Sequence, residues 1–157
     1  MLREASSLSP RSSSDGPNPA EPILFRQGSD LNFPREGVSL RLMQWFANIA
    51  KERMRDPGNE DKSLTAPFIC EVMKEITVDL QCSLVQWVMT VPEETLNRHG
   101  ISRADVGPAT IFLSHSWHYD FEEQVCKALE DHVEHHEEDR DAFFWFDVFT
   151  VNQNKSG

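Results

Sequence analysis

The sequence predicts an α/β fold in which one strand–helix–strand unit is preceded by α-helices and by a disordered N-terminal tail. Two almost continuously apolar runs, 111–113 and 143–151, flank a segment with helical apolar spacing at 121–136. Continuous apolar runs are typical of strands that are buried on both faces of a parallel sheet. We therefore expect the two runs to form adjacent, parallel strands that are joined by a crossover helix.

Residues 1–37 are predicted to form the tail. This segment is rich in serine and holds five of the nine prolines of the chain. Such a composition buries too little apolar surface to offset the entropy of ordering the chain. The N-terminus also lacks the apolar core of a secretory signal.

Residues 38–108 are predicted to be a helical region. Apolar side chains recur at helical spacing over 38–55, which we expect to pack on the core of the chain itself. A second helix is expected from Pro67, which suits the first helical position, and a third over 82–89. A short helix then follows Pro92, with Gly100 as its C-cap.

Composition and charge exclude several classes of function. The formal net charge of the 157 residues is −11 and the pI is about 4.9, which argues against nucleic acid and anionic membranes as partners. No apolar run approaches the roughly 18 residues that a membrane span requires. The three cysteines, Cys70, Cys82 and Cys126, form no CxxC pair. Reduced thiols in a cytoplasmic protein without a metal site are expected.

Polar side chains end the two predicted strands. In open α/β sheets, ligands bind beyond the carboxyl ends of the strands. Ser114 and His115 can hydrogen-bond a ribose or a phosphate, or they can cap the crossover helix together with Ser116. Asp147 must be paired or lie at a cleft, because a buried unpaired carboxylate is costly. The candidate ligand-binding residues are Ser114, His115, Trp117, Asp147, Asn152 and Gln153.

Three further histidines, His132, His135 and His136, lie among acidic residues at the end of the crossover helix. His132 and His136 are one helical turn apart and could chelate a metal ion. The segment lacks the HExxH order of zinc enzymes, so a solvated acidic helix end is the preferred interpretation and no metal is expected.

The two motifs together resemble a known family. The segment 112–117, FLSHSW, and the segment 145–153, WFDVFTVNQ, are similar to a TIR-like group of eukaryotic microbial proteins with F-x-S-H-[AS]-W and W-[FI]-D-x-F-x-x-N-Q motifs. The second motif is also similar to that of heterokaryon-incompatibility domains, where Cys replaces Thr150. The resemblance covers residues 109–157 and implies the N-terminal part of a flavodoxin-like parallel sheet of about five strands.

This resemblance implies an intracellular signalling and assembly module with a protein partner, including a second copy of itself. The NAD-cleaving members use a glutamate on a later helix, and no residue here matches it. We therefore expect a truncated, non-catalytic module without a cofactor, whose two strands expose an edge that favours self-association. The alternatives are an NAD nucleosidase, with NAD as substrate, whose catalytic half is missing, and a truncated product without independent function.

Overall fold

The computed structural model describes residues 23–25, as backbone, and residues 35–155. Its strands are β1 (Ile23–Phe25), β2 (Glu36–Val38), β3 (Val106–Pro108), β4 (Ile111–Ser114) and β5 (Phe144–Trp145). Its α-helices are α1 (Leu40–Met54), α2 (Ala66–Ile76), α3 (Leu84–Thr90), α4 (Glu93–His99), α5 (Lys127–His135) and α6 (Asp147–Thr150). A π-helical segment, Phe121–Cys126, leads into α5, and short 3₁₀ turns are found at Arg103–Asp105, Glu137–Asp139 and Gln153–Lys155.

The predicted strand–helix–strand unit is confirmed. Strands β4 and β5 are parallel neighbours, with Ile111 opposite Phe144 and Phe112 opposite Trp145. The π-helical segment and α5 connect them. The sheet order is β1-β4-β5-β2-β3, and every other pairing in it is antiparallel. The chain is thus a mixed helix and strand structure, as predicted.

The second strand is shorter than predicted. The run 143–151 forms a strand only at Phe144–Trp145, and helix α6 follows directly. In α6, Val148 and Phe149 are fully buried. A short apolar run carries the same burial signal in either conformation, so periodicity could not separate a strand from one buried helical turn.

The predicted disordered tail is wrong where the structure describes it. Residues 1–22 and 26–34 lie outside the described residues, but β1 pairs with β4, and β2 lies between β5 and β3. The expected open edge of the parallel pair is therefore covered on both sides. Backbone pairing with an existing sheet stabilises such short segments, and composition does not report this contribution.

The helical region and the strand–helix–strand unit share one hydrophobic core. Phe46 of α1 and Leu84 of α3 lie in the same buried cluster as Ile111 of β4 and Phe149 of α6. Strand β3 also lies inside the segment that was predicted to be helical. The four predicted helices are confirmed, and Gly100 ends α4 with a left-handed φ of 74°.

A buried carboxylate ties α1 to the turn before β3. Asp105 accepts hydrogen bonds from Ser39 Oγ at 2.9 Å, Arg41 Nη2 at 2.8 Å and the Ser102 backbone N–H at 2.9 Å. Burial alone would raise the pKa of the Asp105 carboxyl, but these hydrogen bonds and the Arg41 charge outweigh it and lower the pKa. Ser39 also caps α1 by accepting from the Leu42 N–H.

Candidate functional site

A histidine and an aspartate meet where the two parallel strands end. His115 follows β4, and Asp147 begins α6 just beyond β5. The His115 Nε2 atom lies 2.8 Å from Asp147 Oδ1, although the two residues are 32 positions apart. The parallel register brings the carboxyl ends of both strands to one edge of the sheet, which explains the pairing. The sequence did not predict Asp147 as the partner of His115, because no carboxylate is adjacent to His115 in the chain.

The imidazole of His115 is engaged on both sides. Its side chain is only 5 % exposed, and its ring centroid lies 4.5 Å from that of Phe146. The Nδ1 atom lies 3.2 Å from the carbonyl oxygen of Ser116, while Nε2 faces Asp147. Both ring nitrogens therefore face protein oxygens in this arrangement, one on the turn after β4 and one on Asp147.

Asp147 is the more accessible member of the pair. Its side chain is 39 % exposed, and one carboxylate oxygen is held by His115. The backbone carbonyl of Asp147 accepts a hydrogen bond from Gln153 Nε2 at 3.3 Å. The predicted residues His115, Asp147 and Gln153 therefore do come together, and we call them the strand-end cluster. What this cluster offers to solvent is one oriented carboxylate.

Asn152 and Asn154 hold a loop that is distant in sequence. Asn152 Nδ2 donates to the carbonyl of Gln81 at 2.8 Å, and Asn154 Nδ2 donates to Thr77 Oγ1 at 3.1 Å and to the carbonyl of Cys82 at 3.0 Å. We call this pair the amide clamp, since it fixes the loop 77–82 against the segment after α6. Asn152 was predicted as a ligand-binding residue, and its amide nitrogen is used in this contact. Asn154 was not predicted, and the only sequence signal for it is a third amide after Asn152 and Gln153.

The loop under the clamp is tightly wound. Gln81 has a φ of 52°, in the left-handed region that non-glycine residues seldom adopt. Its side-chain amide donates to the carbonyl of Val78 at 3.0 Å. The hydrogen bond from Asn152 to the Gln81 carbonyl therefore holds the strained residue itself. The loop is fixed both from within and from the C-terminal segment.

Three exposed apolar side chains lie on these two joined segments. Val78 is 53 % exposed and Leu80 is 41 % exposed on the loop 77–82, and Val151 is 41 % exposed just before the clamp. We call these three residues the loop patch. The amide clamp keeps the segments that carry them in place, so these side chains stay presented to solvent.

Ser114 and Trp117 are not drawn into the strand-end cluster by any described hydrogen bond. Ser114 is half-buried and lies opposite Ile23 in the sheet, and Trp117 is 45 % exposed in the turn after His115. The alternative in which Ser114 or Ser116 caps the crossover helix is wrong. Asp120 caps it instead, because its Oδ1 accepts from the Glu123 N–H at 2.7 Å.

The predicted solvated acidic helix end is solvated only in part, because His132 and Asp139 are buried in it. His132 Nε2 lies 2.7 Å from Asp139 Oδ2, both side chains are 2 % exposed, and His136 stacks on His132 at 4.5 Å. Within residues 35–155, no group of three potential ligands is arranged around a metal position.

All three cysteines are free, and burial raises the pKa of the Cys70 thiol to about 11 and also raises that of Cys126. Thiols held protonated in this way are poor nucleophiles.

Comparison with known proteins found no match for this chain. No protein-family model, no curated protein and no solved structure matches it. In the described part of the chain, no helix has both the length and the apolarity that crossing a membrane requires. The TIR-like resemblance of the segments 112–117 and 145–153 remains a prediction from those residues.

Proposed function

We propose that this chain is a TIR-like assembly module of intracellular signalling that associates with a second copy of itself and is not an enzyme. The observation that supports this most is the loop patch. Val78, Leu80 and Val151 are exposed on two segments that the amide clamp joins. In this proposal the three side chains form one interaction surface, since contiguous exposed apolar patches mark protein interaction sites. In this proposal, β4 and β5 are the first two strands of a flavodoxin-like arrangement.

The charge distribution favours a second copy as the partner. The chain carries a formal net charge of −11, so two copies repel each other over most of their surface. Within residues 77–82 and 151–154, Asp79 is the only charged side chain. Two copies that meet through the loop patch would therefore remove apolar surface from water and bring few charged side chains of these segments together.

The strand-end cluster supports the non-catalytic part of the proposal. A general base must have a nitrogen or oxygen directed at the proton that it removes. Both ring nitrogens of His115 face protein oxygens, and the ring is almost fully buried. In this proposal the His115–Asp147 pair braces the ends of the two parallel strands.

The assembly proposal predicts a concentration-dependent dimer that depends on the loop patch. Sedimentation equilibrium of the full chain should give a mass that rises toward that of two copies, and added salt should favour association because it screens the repulsion. A Val78→Ser/Leu80→Ser variant should bind its own copy at least about tenfold more weakly, since two apolar side chains leave the interface.

Met89→Ser is the matched control, because Met89 is 48 % exposed but lies on α3, outside the loop patch. Its dimer should resemble that of the unchanged chain. A chain that stays monomeric at every concentration would contradict the proposal. A Met89→Ser variant that weakens the dimer as much as Val78→Ser/Leu80→Ser does would also contradict it.

A second candidate, cleavage of NAD at the glycosidic bond, is favoured by one observation. Asp147 offers a partly exposed, oriented carboxylate at the strand ends, and a carboxylate can stabilise the ribose as nicotinamide leaves. We expect nicotinamide release by the full chain to be indistinguishable from release by His115→Ala and Asp147→Asn variants, measured by chromatography. Release that is clear in the unchanged chain and lost on Asp147→Asn would establish the enzyme instead.

A further inference from the structure

In the part of the chain that the structure describes, three residues cover the outer edge of β4. Strand β1 pairs antiparallel with β4, with Ile23 opposite Ser114, Leu24 opposite Leu113 and Phe25 opposite Phe112. On its other side β4 pairs with β5, and β5 in turn pairs with β2. A ladder of three residues contains few hydrogen bonds, so local opening of β1 costs far less than global unfolding.

The two edges of the sheet are protected differently. The far edge is β3, which ends in Pro108, a residue without a backbone N–H, and such a residue blocks further pairing. Strand β4 consists of Ile111, Phe112, Leu113 and Ser114 and contains neither a charge nor a proline. Among the described residues, β1 alone covers this edge. Without it, β4 would present unpaired N–H and C=O groups to any extended segment.

We propose that β1 exchanges between two copies of this chain, so that Ile23–Phe25 of one copy pairs with β4 of the other. This inference concerns a different surface from the loop patch and goes beyond the function proposed above. The contacts are the same within one chain and between two chains, which makes exchange of an identical element a low-cost route to a dimer. Neither Ile23–Phe25 nor Ile111–Ser114 carries a charge, so the pairing brings no like charges into the contact despite the net charge of −11.

The register also places the exchanged strand beside the strand-end cluster. Ile23 lies opposite Ser114, and His115 is the next residue after Ser114. Exchange would therefore bring the backbone of a second copy next to the turn that positions Asp147. Assembly and the geometry of the cluster would then be physically connected.

Cross-strand disulfides test the exchange. Residues directly opposite in an antiparallel pair have Cα separations that a disulfide can span. Full-length Ile23→Cys chains, labelled with ¹⁵N, are mixed with unlabelled Ser114→Cys chains, both also carrying Cys82→Ser, and are oxidised with glutathione. The control mixture replaces the second chain with Arg98→Cys, an exposed position on α4. Mass spectrometry of the linked peptides identifies which chains are joined.

We expect the 23–114 link between labelled and unlabelled chains to exceed the 23–98 link by about tenfold or more, because pairing raises the effective concentration of the two thiols. Its yield should rise with protein concentration. A double Ile23→Cys/Ser114→Cys chain should close within itself when dilute. The proposal is overturned if the mixed link does not exceed the control, whether or not the double variant closes. Because Val78 and Leu80 are unchanged in these chains, the mass measurements on the loop patch report on the proposed function separately.

Discussion

Replacing Gly37 with alanine is expected to lower the free energy of unfolding by about 3 kcal/mol, at the upper end of what overpacking costs. A Cβ at this position of β2 would lie 2.7 Å from the carbonyl oxygen of Phe144 and 2.9 Å from the Cβ of Ala109. Phe144 pairs with β4 on one side and with β2 on the other, so its backbone cannot retreat without breaking the centre of the sheet. The position therefore requires the absence of a side chain.

Urea denaturation measures this loss, and Gly107→Ala is the matched control. The three atoms nearest to a Cβ at Gly107, at 2.4 to 2.8 Å, all belong to the ring of Phe143, which is half-buried and can rotate away. We expect the control to lose clearly less stability, within about 1 kcal/mol of the unchanged chain. If Gly37→Ala loses no stability, β2 does not lie against β5 and the sheet order is wrong.

Replacing Phe149 with alanine is expected to lower the free energy of unfolding by about 4 kcal/mol, a typical cost of removing a fully buried phenylalanine ring. Phe149 is 0 % exposed, and its ring lies 4.8 Å from that of Phe46, 5.1 Å from that of Phe146 and 5.7 Å from that of Phe121. These four rings join α1, the π-helical segment and the segment after β5. Removing Phe149 leaves a cavity at the point where all three meet.

Thermal and urea denaturation both report this change, with Trp117→Ala as the control. Trp117 is also a large aromatic residue, but it is 45 % exposed, so its loss should change stability by no more than about 0.5 kcal/mol. A loss at Phe149 as small as that at Trp117 would mean that α6 does not turn this ring into the core.

Much of the helical structure is determined by the sequence itself. Ser39 supplies a cap, Pro67 suits a first helical turn, and Gly100 adopts a left-handed φ that ends α4. These signals act within one or two turns of the chain, so they are visible without any knowledge of the fold. The parallel pairing of β4 with β5 also follows from sequence, because a helix-length connection between two buried apolar runs permits little else.

Tertiary structure alone decided the rest. Strands β1 and β2 have three residues each and are stable only because β4 and β5 offer them backbone partners. Phe149 lies in a helical turn because the aromatic cluster accepts its ring there, although its local sequence favours a strand.

The same division holds for the site. The sequence predicted that His115, Asp147, Asn152 and Gln153 lie near the strand ends, but not which protein groups they contact. These contacts join residues far apart in the chain, 32 positions for His115 and Asp147 and 71 for Asn152 and Gln81. Local patterns carry no information on such partners, because a side-chain hydrogen bond across the fold depends on how the elements pack and on the sheet register.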